Sequence, residues 1–312
     1  MTSGSTGQRP RHEVVHDIRA FLVAAETLPS PQGTALKIAD MARDPDVSLE
    51  EVIRVIKTDP ALTGFVLRAA SAARFHAMRG TASVQTAVQR LGLNAIRSHA
   101  LVLSLIAHSS RLRCEGFDYQ QYWVDSLHTG ILTERLALAA HSQSANDTFS
   151  LGLLSDIGML AFATAEPETY ARLLALARHS RQDIAALERE QFSFDHNELS
   201  AVLLVDWQLP TTMADIIYWQ RDPEGGGFAP DSTPYLLACV LRLAHSLNRY
   251  LFDPAHAEEH LANARLRATV LEMDFELVRQ TLSESLNSLR EWTQLVGLPM
   301  PPFSPERLNA LA

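Results

Sequence analysis

Cysteine is scarce: Cys114 and Cys239 are the only two in 312 residues. Two distant thiols provide neither a disulfide framework nor the paired spacing of a zinc site. They are expected to be reduced, packed side chains of a cytoplasmic protein. Basic charge is also short, with 27 Lys and Arg against 36 Asp and Glu and a net charge of −9. A protein that neutralises phosphates needs a basic face, so neither nucleic acid nor an anionic membrane surface is an expected partner. No run reaches the ~18 consecutive apolar residues of a membrane span. The greasiest stretch, Leu101 to Ala107, is bracketed by His99 and His108 and reads as a core helix. Met1 to Arg11 is polar and lacks an apolar signal core, so residues 1–12 are expected to be a disordered leader. Alternating β-branched runs and Asn-Gly hairpin dipeptides are missing, which argues against strands. No glycine-rich turn follows a strand, which removes phosphate-loop and dinucleotide-binding readings. The lack of a fixed-period repeat argues against a helical solenoid.

Helix punctuation is abundant instead. Ser48 with Glu51 forms a capping box ahead of Leu49, Val52, Ile53 and Ile56 on one face. Asp59-Pro60 pairs a cap residue with proline at the first helical position. Ser83 opens a segment with Val84, Ala87, Val88 and Leu91 on one face and Gly92 as its stop, and Asn94 caps the next. Asp195 with Glu198 is a further box-like start. Gly225-Gly226-Gly227 and Pro299 to Pro305 are breaker-rich loops. The expected fold class is therefore all-α. The expected organisation is two helical lobes, 13–110 and 117–253, followed by a C-terminal extension over 256–312. In that extension Leu271, Phe275, Val278, Leu282, Leu286, Leu289 and Trp292 recur at steps of three and four. This stripe suits docking on the second lobe, the preferred reading, or on another protomer as a homodimer.

Three stretches carry a family resemblance when taken in order. The first is Arg43-Asp44-Pro45-Asp46-Val47-Ser48-Leu49-Glu50-Glu51 followed by Thr58-Asp59-Pro60-Ala61-Leu62. The second is Ser83-Val84-Gln85-Thr86-Ala87-Val88-Gln89-Arg90-Leu91-Gly92-Leu93. The third is Leu151-Gly152-Leu153-Leu154-Ser155-Asp156-Ile157-Gly158, with Phe194-Asp195-His196-Asn197-Glu198 and Trp207-Gln208-Leu209-Pro210 downstream. Together they resemble the HDOD family over roughly residues 28 to 250. These are bacterial signalling modules related to the HD-type metal phosphohydrolases. The resemblance implies an all-α domain with an HD-like second lobe and a regulatory rather than catalytic role. Such modules are often fused to receiver or cyclic-di-GMP-related domains. No such domain is visible here, so a stand-alone copy is expected.

HD hydrolases bind divalent metals through histidines and aspartates, and the metal activates a water as nucleophile. The resemblance places Asp156 at the aspartate of the His-Asp pair, but Ser155 stands where its histidine belongs. Asp125, in Tyr122-Trp123-Val124-Asp125, takes the place of the earlier histidine, with His128 three residues on. His196 matches the downstream histidine. Gln220-Arg221 replaces a later His-His pair, and His245 takes the final aspartate's place. The family's Asn-Ser after the first-lobe helix reads Ser71-Ala72 here, and its loop glycine and proline read His76 and Met78. Two family-type ligands survive, a serine hydroxyl binds transition metals poorly, and Arg221 would repel a cation. No catalytic residue, bound metal or cofactor is therefore expected, and a residual phosphohydrolase is the alternative.

Each survivor also has an ordinary structural role. Asp156 would accept hydrogen bonds at a helix start. His196 would be an exposed first-turn residue or an inter-helix hydrogen bonder. His128 would be a satisfied core histidine, and Gly158 would allow close helix packing. A Ser155, His128 and Asp156 triad lacks the strand-turn-helix context of a nucleophile elbow. Arg68, Arg74, Arg79, Arg90 and Arg97 make the first lobe locally basic. They read as a solvated face or, with Arg79, Arg90 and Arg97 as candidates, an effector or nucleotide patch. Tyr218 and Trp219 are either a partner surface or core. The expected partners are signalling proteins or a small effector.

Overall fold

The structure, a computed structural model, describes residues 10–309 apart from 26–27, 29–33, 35–36, 39–40, 42–46, 60–61, 65, 68–82, 110–112, 141–147, 181, 208 and 304. Among the described residues every regular element is helical, as the punctuation and the resemblance imply. The contacts divide the chain into two compact units. One comprises Met1–Leu28, Leu112–Phe117 and Ser155–Trp219; the other comprises Pro29–Arg111, Asp118–Leu154 and Gln220–Ala312. Each unit is assembled from segments far apart in the chain, and caps and breakers mark where helices end and not which helices they meet.

In the smaller unit, α1 (Arg11–Ala24) turns Val14 and Ile18 inward and packs on α9 (His196–Asp206). Between them in sequence come α6 (Ile157–Ala165), α7 (Pro167–Ser180) and α8 (Ile184–Phe192), and α10 (Thr211–Tyr218) follows. Phe162 is the hub of the core. Its ring stacks on Tyr170 at 5.4 Å, Phe192 at 4.6 Å and Phe194 at 5.7 Å, and meets Phe21 edge-on at 5.6 Å. Offset and edge-to-face pairs of this kind add to simple area burial.

The larger unit contains α2 (Leu49–Lys57), α3 (Val84–Ser109), α4 (Tyr119–Ala139), α5 (Thr148–Leu154), α11 (Thr233–Phe252), α12 (Ala257–Val270), α13 (Phe275–Val296) and α14 (Pro305–Asn309). The Ser48–Glu51 capping box forms in both directions. Ser83 accepts the Thr86 N–H, and Gly92 breaks α3 with φ 78° and ψ 161°. Val52, Ile53 and Ile56 join Val84, Ala87, Val88, Ile96 and Ala100 in one core. The C-terminal stripe docks within this unit, since α13 packs on α4. Val278, Leu282, Leu286 and Leu289 are buried, and Trp292 stacks on Phe149 at 5.1 Å. Each such side chain withdrawn from water contributes about 1.5–3 kcal/mol.

One window, Thr148–Ala165, has the length and apolar composition of a membrane span, with mean hydropathy 1.4, yet 72% of it is buried. It is also broken into two helices at Ser155-Asp156. Cys114 and Cys239 are buried free thiols.

Candidate functional site around Asp156 and His196

Alpha-helix 8 ends on Ser193 in the left-handed conformation (φ 71°), and the chain turns through Phe194 and Asp195 into α9. Asp195 closes the anticipated capping box. Its Oδ1 accepts the Asn197 N–H at 2.9 Å and the Glu198 N–H at 3.0 Å, and Glu198 Oε2 accepts the Asp195 N–H at 2.8 Å. Arg189 pairs with the fully buried Asp195 at 2.5 Å. The box sets His196 as the first residue of α9 with its ring inside the unit, 1% exposed. The exposed alternative for His196 is thus replaced by the inter-helix one.

Glu188 holds the imidazole. Nδ1 donates to Glu188 Oε2 at 2.6 Å, and the His196 backbone N–H donates to the same oxygen at 2.9 Å. Tyr170 donates its hydroxyl proton to Oε1 at 2.8 Å. Glu188 itself is fully buried. The far ring nitrogen, Nε2, lies 3.9 Å from Asp156 Oδ1. Burial pulls the His196 pKa down. The charge and hydrogen bond of Glu188, helped by Asp156 and Asp195, outweigh it and raise the pKa to about 9. The ring is therefore an imidazolium at neutral pH. Tyr170 is pushed well above its usual range, first by burial and then by Glu188.

Asp156 occupies the N-cap position of α6, but its side chain makes no capping bond there; its backbone carbonyl accepts the Met159 N–H at 3.0 Å. Gly158 has the close-packing role anticipated for it. A Cβ there would stand 2.1 Å from the His196 carbonyl oxygen. Its N–H donates to Ser200 Oγ at 2.8 Å, and that hydroxyl donates to the His196 carbonyl at 2.6 Å. Ser155 is buried beside it in the chain, 1% exposed. Two adjacent donors, Asp156 and His196, are what this unit assembles from the expected remnant positions.

The remaining positions belong to the larger unit. Asp125 Oδ1 accepts from Gln121 Nε2 and from Asn248 Nδ2, each at 3.0 Å. Asn248 Oδ1 in turn accepts from His128 Nδ1 at 2.7 Å, and His128 Nε2 lies 2.9 Å from Ser285 Oγ. His128 is thus the satisfied core histidine anticipated. Both its ring nitrogens are engaged, by Asn248 and Ser285, which leaves none to activate Ser155. Burial lowers its pKa to about 4 against a small opposing effect of the Asn248 bond. Gln220 is buried, Arg221 half-buried, and His245 is 9% exposed on α11.

Of the candidate effector arginines, Arg79 and the Arg90 side chain lie outside the described residues, as do Arg68, Arg74, Ser71, Ala72, His76 and Met78. Arg97 is 7% exposed, so it is an interior residue and not part of a solvated face. Tyr218 is core: its hydroxyl reaches Glu198 at 3.4 Å, and Arg11 lies 4.7 Å from its ring centroid.

Glu188 and Tyr170 were not legible as site residues. Glu188 sits in an ordinary amphipathic segment, and nothing in the spacing Glu188 to His196 signals contact across a loop. Asp253, His256 and His260 also lie together, at intervals of three and four residues that are a helical metal-ligand spacing.

Comparison with known proteins agrees with this architecture. The HDOD domain family model matches residues 28–223, so His245 lies beyond the matched segment. An HDOD domain protein of unknown function from Geobacter sulfurreducens superposes with a TM-score of 0.72 at 20% identity, covering 94% of this chain and 100% of that one. A structure from Shewanella amazonensis named as a candidate phosphohydrolase gives 0.69 at 22% identity, covering 89% and 98%. A Marinobacter aquaeolei structure named as a candidate signal transduction protein gives 0.64 at 20% identity, covering 92% and 65%. At these identities the likeness concerns the fold. An uncharacterised protein of Treponema pallidum is 25% identical over 198 residues, which are 63% of this chain but 38% of that protein's length. With the family match spanning well over half of its length, this chain belongs to the HDOD domain family.

Proposed function

We propose that this chain is a non-catalytic regulatory module of bacterial signal transduction, acting in the cytoplasm by binding a signalling protein or a small effector near Asp156 and His196. The observation that supports this reading is the state of His196. A metal ligand must offer a neutral imidazole. Here Nδ1 is tied to the fully buried Glu188, which raises the ring's pKa to about 9, so a metal would have to displace a proton. Ser155 adds no strong ligand where a hydrolase would have histidine. The site then serves as a rigid, polar floor for recognition. The name of the Marinobacter relative fits such a role.

The test is hydrolysis of bis(p-nitrophenyl) phosphate with Mn²⁺ by the wild type and by Asp156→Asn. The expected result is no turnover above background for either. Turnover by the wild type that vanishes in a folded Asp156→Asn protein overturns the proposal.

A second reading, a residual metal-dependent phosphohydrolase, is favoured by one geometry. A carboxylate on the far nitrogen of a histidine is the arrangement that supports metal-binding imidazoles, and His196 Nε2 faces Asp156 from that arrangement. The name of the Shewanella relative points the same way. The same assay decides between the two.

A further inference from the structure

Alpha-helix 11 ends at Phe252, and Asp253 follows in extended conformation (φ −110°, ψ 91°). Asp253 Oδ1 accepts the Ala255 N–H at 3.1 Å, which starts a short 3-10 turn, Pro254–His256, leading into α12. The other oxygen, Oδ2, gathers two imidazoles. His256 Nδ1 lies 2.9 Å from it and His260 Nε2 3.2 Å. His260 stands four residues after His256, so one helical turn brings both rings to the same side. The three candidate ligand atoms lie within 4.8 Å of one another. Their side chains are 39%, 37% and 14% exposed in chain order, so an ion can reach them from solvent.

These separations match a coordination sphere. At zinc bond lengths of about 2.0–2.1 Å, neighbouring ligands of a tetrahedron stand about 3.3 Å apart. The two nitrogen–oxygen distances are within a few tenths of that value, and the two nitrogens are at most 4.8 Å apart, so side-chain rotation can bring all three atoms around one ion. Two imidazoles and one carboxylate suit a borderline transition metal and not calcium or magnesium, which take oxygen donors. Three protein ligands leave a position for water. The charged neighbours are mixed: Arg249 opposes a cation, while Glu259 on the same helix as His260 favours one.

We propose that Asp253, His256 and His260 form a zinc-type divalent metal site that clamps the turn between α11 and α12. Each imidazole binds through the nitrogen now directed at Asp253 Oδ2, and its remaining proton moves to the other ring nitrogen. The site is separate from the Asp156–His196 pair and does not rest on the function proposed above.

The test uses the full, tag-free chain stripped with chelator and titrated calorimetrically with Zn²⁺. The expected result is about one equivalent bound, with affinity reduced roughly 100-fold or more in His260→Ala and in His256→Gln. Co²⁺ should give the intense visible bands of a tetrahedral site in the wild type and lose them in both variants. His256→Gln, at a more exposed position, keeps the test decisive if His260→Ala fails to fold. No saturable binding by the wild type overturns the proposal and leaves the cluster as two histidines hydrogen-bonded to a helix-terminal carboxylate. Unchanged binding in the variants also overturns it. Binding lost in Asp156→Asn and kept in His256→Gln would assign the ion to the other pair, and would then count against the regulatory reading too.

Discussion

His128 and His196 are both buried, one in each compact unit, and their pKa values are displaced in opposite directions. His128 faces an amide and a hydroxyl, so burial dominates and its pKa falls to about 4. His196 faces the carboxylate of Glu188, which outweighs a similar burial and lifts its pKa to about 9. The lesson is that depth alone does not set protonation; the chemistry of the partner does. A neutral imidazole wedged between α11 and α13 can be replaced by another polar side chain of similar shape. An imidazolium can lose its counter-ion only at the cost of an uncompensated buried charge or of its own proton.

The sharpest way to break the contrast is Glu188→Ala. Removing one partner of a buried pair typically costs about 3–5 kcal/mol. It also strips the Tyr170 hydroxyl and the His196 N–H of their acceptor. Urea titration at pH 7 should show this loss, whereas Ser285→Ala, which removes one neutral partner of His128, should lose about 1 kcal/mol.

The two histidines also predict opposite pH limbs. The folded pKa of His196 is above the unfolded value of 6.5. Its contribution, about 3 kcal/mol, is complete below pH 6.5 and is lost as pH rises through 9. The folded pKa of His128 is below 6.5. Its contribution of similar size is complete above pH 6.5 and disappears as pH falls towards 4. Thermal melts across this range should show stability falling on both sides of a near-neutral maximum. Glu188→Gln should abolish the alkaline limb alone, and His128→Asn the acid limb alone. Histidine NMR titration would assign each limb; identical limbs in wild type and Glu188→Gln would refute the account.

The same contrast recurs at smaller scale in the two capping boxes. The Ser48–Glu51 box is exposed, and Ser48→Ala should cost about 1 kcal/mol by chemical denaturation. The Asp195–Glu198 box is buried and carries Arg189, so Asp195→Ala should cost about 2 kcal/mol or more, because the freed N–H groups have no water to turn to.

Both boxes were legible in advance, as were the break at Gly92 and the buried stripe of α13, because each rests on neighbours within a few residues. The close-packing role of Gly158 and the buried bonding of His128 could be stated as expectations from residue type. Glu188, Asn248 and Ser285 could not. They reach their histidines across eight, 120 and 157 residues, and no local pattern encodes such a meeting. Arg97 shows the same gap from the other side, since it reads as part of a solvated face or as an effector candidate and lies in the interior.

Local residue chemistry thus accounts for the helices, their caps and the family to which the chain belongs. The pairing of helices, and with it the charge on each buried histidine, came from packing. Burial and partner are properties of distant segments brought together, and a pKa responds to that assembled surrounding and not to the residues on either side of it in the chain.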